Sequence, residues 1–119
     1  MNTSIQSPLD LSYLDMMADG DGSMKKTMLD MLLEEMPPEL DKLRQAVLGH
    51  DREQLRQVSH KMKSTLAFIG NAPMTEANAK LEELGKNGSD LQGATSHLEV
   101  LEAQAKVVMP ALKAESDKL

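Results

Sequence analysis

In this 119-residue chain, His60 is the residue whose setting could support chemistry. It lies in the stretch DREQLRQVSHKMKSTLAFIG, residues 51–70. Advanced by roughly 100° per residue, Leu55, Val58, Met62, Leu66 and Ile69 fall on one side, the pattern of an amphipathic helix against a core. On the same wheel Arg56, Lys63, Ser64 and Ala67 lie within about 60° of His60, and the apolar stripe is centred nearly opposite. His60 is therefore expected to face solvent in mid-helix, flanked by cations and small residues. Lys63, three residues on, is within side-chain reach, and Arg56, four residues back, is close by. Nearby cations disfavour the imidazolium, so they help to keep the ring neutral and nucleophilic. They also attract and neutralise a phosphoryl group. Ser64 and Ala67 are small enough for another protein to approach the imidazole. Taken singly, each of these is an ordinary surface side chain; the grouping is what points to chemistry.

Other chemistries find less support. His50 follows Gly49 in a loop and His97 lies off the apolar stripe of its segment, so both read as plain surface histidines. No His-x-x-x-His, Glu-x-x-His or cysteine pattern accompanies them, and no metal site is expected. Asp19-Gly20-Asp21-Gly22-Ser23 begins like a calcium loop, but Met24 stands where the loop needs glycine and Asp30 where it needs glutamate. An acidic turn between helices is the expectation there. Ser59 and Ser64 adjoin His60 without a triad or a glycine-rich elbow.

The elements that must position His60 follow from patterning. The length suits a single domain with a sizeable core. Ten methionines and many leucines have to fill it, since the chain has one tyrosine, one phenylalanine and no tryptophan. Without cysteine there are no disulfides, which fits a reducing cytoplasm. No apolar run is long enough for a membrane span, and MNTSIQSPLD lacks the layout of a secretory signal. The net charge of −6 and the lack of stacking aromatics argue against nucleic acid as a partner.

Residues 1–7 read as a loose arm and 8–119 as the domain. Ser7 as cap and Pro8 at the first helical position open a short helix through Leu11, Leu14 and Met17, ending at the acidic turn. Ser23 is expected to cap the next helix. Its stripe of Met28, Leu29, Leu32 and Met36 continues through Leu40, Leu43 and Val47, which suggests one helix, kinked or briefly broken at Pro37-Pro38, that stops at Gly49. Asp51 with Gln54 opens the His60 helix as a capping box, and Gly70-Asn71-Ala72-Pro73 ends it and starts another through Ala77, Leu81 and Leu84 to Gly85. Gly88-Ser89-Asp90-Leu91-Gln92 gives a second turn and capping box. The last helix carries Leu91, Ala94, Leu98, Leu101, Ala105, Val108 and Leu112, with Pro110 expected to bend or end it. The fold class is all-α: an antiparallel four-helix bundle with an additional short N-terminal helix.

Ser59-His60-Lys61-Met62-Lys63-Ser64 followed by Gly70 resembles the signature of histidine-containing phosphotransfer (HPt) domains, Ala-His-x-Leu-Lys-Gly with a glycine ten residues after the histidine. The histidine, the apolar residue two on, the lysine three on and the later glycine all match, and the resemblance in layout covers residues 8–115, including the Leu-Glu-rich Lys80-Leu81-Glu82-Glu83-Leu84-Gly85. The resemblance implies a phosphorelay carrier rather than an enzyme. His60 accepts a phosphoryl group on its outer ring nitrogen from an aspartyl phosphate of a receiver domain and passes it to another receiver. Lys63 orients and neutralises the phosphoryl oxygens, Gly70 ends the helix, and Arg56, Lys61, Ser64 and Ala67 belong to the docking face. The magnesium ion that assists transfer sits on the receiver, so no cofactor is implied here, and a monomer suffices. Ser59 and Ser64 depart from the usual alanine and glycine. Some members support the histidine with a glutamine from the following helix; this chain offers Glu82 and Lys86 in that region, so that role is not carried over. The rival readings are a helical adaptor that binds a receiver domain or a histidine kinase without carrying phosphate, and, with less support, a helical enzyme or metal bundle.

Overall fold

The computed structural model describes residues 8–88 and 91–119. The expected arm over residues 1–7, the Ser7 cap, and Ser89 and Asp90 of the last turn lie outside the described residues. Five helices follow in order: α1 (Ser12–Ala18), α2 (Gly22–Leu48), α3 (Arg52–Ile69), α4 (Ala72–Asn87) and α5 (Ala94–Asp117). The four long helices close a ring in which α2 packs on α3, α3 on α4, α4 on α5 and α5 back on α2. Lys26 at the start of α2 meets Ser116 at the end of α5, whereas Arg44 near the end of α2 meets Glu102, so these two run antiparallel. α1 leans on α2 and α3. Among the described residues there is no strand, and no helix is long and apolar enough to cross a membrane.

The core is aliphatic, as the composition requires. Leu29, Met36 and Leu43 of α2, Leu55, Met62, Leu66 and Ile69 of α3, Met74 and Leu81 of α4, and Leu101, Val108 and Leu112 of α5 are all buried. Each long side chain buried this way contributes on the order of 1.5–3 kcal/mol. Val58, expected in the α3 stripe, is only half-buried, and the polar Ser59 and Thr65 are buried in its place.

Pro37 and Pro38 do not break α2, which runs continuously for 27 residues. Buried Met36 and Leu43 on either side of the proline pair anchor both halves to the core. Beyond the prolines the stripe shifts: Leu40 is half-buried and Glu39 is buried. The helix is capped by Asp21, not Ser23: the Asp21 carboxylate accepts from the Ser23 and Met24 amides at 2.9 and 3.0 Å. Gly49 ends it with an ordinary negative φ, and the left-handed residue is His50 (φ 52°). Pro110 likewise leaves α5 unbroken to Asp117. α5 begins at Ala94, after a left-handed Gly93 that makes no side-chain cap, so Leu91 packs from the loop ahead of it.

α1 also starts later than Pro8. The preceding segment crosses the end of α3, where the Asp10 amide donates to the Ile69 carbonyl at 2.9 Å and the Asn71 side chain donates to the Pro8 carbonyl at 3.0 Å. With its backbone used this way, the chain turns helical only at Ser12, whose amide and hydroxyl both donate to the Asp10 carboxylate at 3.1 and 2.6 Å.

Candidate functional site

α3 is defined at both ends, which fixes the rotation of every side chain along it. Asp51 accepts from the Gln54 amide at 3.0 Å as N-cap, and Gly70 ends the helix in the left-handed region at φ 70°. With Met62, Leu66 and Ile69 turned inward, His60 points out, its side chain 68% exposed.

The nearest group to the imidazole is a carboxylate. His60 Nδ1 lies 2.8 Å from Glu82 Oε2 on α4. Lys63 Nζ is 3.3 Å from Glu82 Oε1, and Lys86 Nζ is 3.5 Å from Oε2. The sequence pointed to cations and small residues around the ring. Lys63, Lys86 and the ring instead converge on one carboxylate that is only 7% exposed. Burial pushes the Glu82 carboxyl up, but the hydrogen bonds from His60 and Lys63 and the charges of Lys63 and Lys86 outweigh it and hold its pKa below the usual carboxylate range. An ionised carboxylate only accepts, so Nδ1 must carry the proton in this pair. In the neutral form of the ring this leaves the lone pair on Nε2, the nitrogen turned away from Glu82.

Two further residues of α4 hold it against α3 at this height. Asn78, one turn before Glu82, donates to the Ser59 carbonyl at 2.8 Å, and Gly85 lies directly against the backbone of Arg56. The sequence reading did not single out Asn78 or Glu82 as site residues. The available signal was a polar and small stripe, Asn78, Glu82 and Gly85 at helical spacing, set beside the apolar Ala77, Leu81 and Leu84.

The other residues singled out by sequence divide. Lys63 joins the His60–Glu82 group. Arg56 does not reach it: its guanidinium grips Glu53 at 3.0 and 2.6 Å. Lys61 is exposed, and its charge acts on Glu39 of α2. Ser64 and Ala67 are exposed on the His60 side. Ser64 also lines a shallow apolar groove of about 240 Å³ between α2 and α3, with Met28, Met31, Leu32 and Phe68. Gly70 is structural: a Cβ there would fall on the Asp10 carbonyl oxygen. His50 is exposed in its loop, and His97 is half-buried beside α4. The Asp19 turn is the predicted acidic connection, with Asp21 capping α2. Among the described residues no group of three or more histidine, aspartate or glutamate side chains is placed to hold a metal ion.

Comparison with known proteins bears on this arrangement. The crystal structure of histidine-containing phosphotransfer protein B (HptB) from Pseudomonas aeruginosa PAO1 is similar in fold, with a TM-score of 0.83 over 94% of this chain and 96% of that one at 23% sequence identity. No curated protein matches the chain. The family model described as "Hpt domain" matches residues 27–115, from the first turns of α2 to the last of α5, and so takes in the whole His60–Glu82 pairing. The chain therefore belongs to the Hpt domain family, the helical modules that carry phosphoryl groups on histidine in phosphorelay signalling.

Proposed function

We propose that His60 is the phosphoryl acceptor of this chain, taking the group from an aspartyl phosphate of one receiver domain and giving it to another. The observation that carries the reading is the 2.8 Å contact of Nδ1 with Glu82 on a ring that is otherwise exposed. In the transfer, the Nε2 lone pair forms a bond to phosphorus as the bond to the aspartate oxygen breaks, and the aspartate leaves as a carboxylate. Nδ1 keeps its proton throughout, so the ring becomes positive as Nε2 bonds. Glu82 already stands where that charge appears, and it needs no reorganisation to stabilise it. The reverse transfer uses the same contacts.

Lys63 supplies positive charge to the incoming phosphoryl oxygens by moving a short way from Glu82. The receiver is proposed to dock over Ser64 and Ala67 and into the groove of Met28, Met31 and Phe68, which adaptable methionines suit. Lys61 belongs to the same face, and Arg56 contributes through its pairing with Glu53. Magnesium is assigned to the receiver, whose acidic pocket would hold it. One copy of the chain carries all the residues the transfer needs from this side, so a monomer is the proposed working form. The proposed compartment is the cytoplasm, and no kinase activity is assigned.

The test is transfer of labelled phosphate from a phosphorylated receiver domain to the wild type and to His60→Gln. Acid-labile, base-stable label on the wild type alone is the expected result. Binding of receivers without any label on the wild type would overturn the carrier reading in favour of an adaptor.

A further inference from the structure

Ser64 stands where the HPt signature has glycine, so the signature gives its hydroxyl no role. Four residues after His60 on α3, it is a helical neighbour of the ring, with Cβ atoms about 5–6 Å apart. Side chains of a helix tilt toward its N-terminus, so Ser64 leans back over the turn that carries His60.

The two flanks of the ring differ. Lys63 reaches Glu82 of α4 at 3.3 Å, whereas Ser64 lines the groove between α2 and α3. His60 therefore has α4 on its Lys63 side and α2 on its Ser64 side. Glu82 turns Nδ1 to α4, which directs Nε2 away from α4 and over the flank where Ser64 stands. A phosphoryl group on Nε2 is thus placed between the Lys63 ammonium and the Ser64 hydroxyl.

That hydroxyl is uncommitted. Ser59, on the same helix, donates its hydroxyl to the Leu55 carbonyl at 2.6 Å, and Thr65 donates to Glu39 at 3.2 Å. Among the described residues Ser64 makes no such bond, and its side chain is exposed. A phosphoryl group brings roughly two negative charges and three acceptor oxygens, so toward it a serine acts as donor. Hydroxyl donors to an oxyanion make short, charge-assisted bonds.

We infer that the Ser64 hydroxyl donates a hydrogen bond to the phosphoryl group on His60, holding it from the α2 side while Lys63 meets it from the α4 side. The inference rests on His60 being the acceptor. It gives Ser64 an effect on the phosphorylated chain itself, separate from the docking of a receiver over the same residue.

The experiment loads the wild type, Ser64→Ala and Ser64→Thr from a phosphorylated receiver domain and frees each of the receiver. The phosphoryl group is then titrated by phosphorus NMR, and the affinity of each chain for the unphosphorylated receiver is measured separately. A hydrogen bond to the dianion resists its protonation. The group should therefore bind a proton about threefold more tightly in Ser64→Ala than in the wild type, the scale of an exposed hydrogen bond. Ser64→Thr keeps a hydroxyl and should titrate with the wild type. Identical titrations of the wild type and Ser64→Ala overturn the inference, and so does an equal shift in Ser64→Thr. An effect of Ser64→Ala confined to the affinity for the unphosphorylated receiver assigns the residue to docking alone and also overturns it. A wild type that takes no label, or label that survives in His60→Gln, overturns the acceptor reading beneath it and is a separate result.

Discussion

Gly85 of α4 lies so close to Arg56 of α3 that a Cβ built on it would stand 2.8 Å from the Arg56 backbone nitrogen and 2.9 Å from its Cα. The obstacle is helix backbone, near the start of α3 and the end of α4, which cannot rotate away as a flexible side chain could. Gly85→Ala therefore separates α3 from α4. Alanine gains about 1 kcal/mol of helix propensity over glycine, while overpacking typically costs about 1–3 kcal/mol. The expected outcome is a lower melting temperature together with a lengthened His60–Glu82 contact, read as a changed ring tautomer balance by nitrogen NMR. An unchanged melting temperature and an unchanged ring spectrum would show that the helices absorb the methyl group elsewhere.

This contact also marks where the sequence stopped being legible. The exposure of His60 could be read because Leu55, Met62, Leu66 and Ile69 share one helix with it, and a helix of known period relates them without any tertiary information. Glu82 is joined to His60 only by the packing of α4 on α3, across twenty-two residues of chain. Its burial follows from close approach at Gly85, and sequence shows Gly85 only as a candidate helix end. The Pro8 start failed for a similar reason: the Asn71 side chain, brought in by tertiary packing, takes the Pro8 carbonyl that a first helical turn would have used as an acceptor. The apolar face of α2 resumes beyond the proline pair at Leu43 and Val47, but the burial of Glu39 ahead of Leu40 depends on the neighbouring Thr65 of α3.

Gly70 offers a second backbone test. It adopts φ 70°, and a Cβ would meet the Asp10 carbonyl oxygen and carbon of the segment that crosses the end of α3. Left-handed geometry alone costs a non-glycine residue roughly 1–2 kcal/mol, and the clash adds to it. Gly70→Ala is expected to lower stability in urea denaturation by about 2 kcal/mol or more. It should also release the Asp10–Ile69 hydrogen bond, visible as faster amide exchange at Asp10. Stability within error of wild type would mean that the crossing segment does not hold its place in solution.

Glu39 predicts a pH dependence. Burial raises its carboxyl above the ordinary value of 4.5, only partly offset by the Thr65 hydrogen bond and by Lys61. Because the folded pKa lies above the unfolded one, the folded state holds this proton longer as pH rises. Its contribution to stability is therefore greatest below about 4.5 and is lost as pH climbs from there through the raised folded value. Glu39→Gln can still accept from Thr65 and has nothing to titrate. Its stability should fall less between acid and neutral pH than that of the wild type, measured by denaturation at a series of pH values. Parallel curves for the two proteins would remove Glu39 as the source.

Glu82 separates orientation from charge at the acceptor. Its carboxylate does two things to His60: it holds the proton on Nδ1, and it faces the positive charge that the ring gains when Nε2 bonds to phosphorus. Glu82→Gln keeps an oxygen that can accept from Nδ1 but removes the charge, whereas Glu82→Ala removes both. Transfer to Glu82→Gln should slow by about tenfold, the difference between a charge-assisted and a neutral hydrogen bond, with the phosphoryl group still on Nε2. In Glu82→Ala the rate should fall further, and nitrogen NMR should show the two ring tautomers mixed, since nothing then selects Nδ1 for the proton. Equal rates for the two variants would assign the whole effect to charge. An unmixed tautomer in Glu82→Ala would assign the ring's orientation to some other contact, because a side chain this exposed has no core packing to hold its tautomer for it.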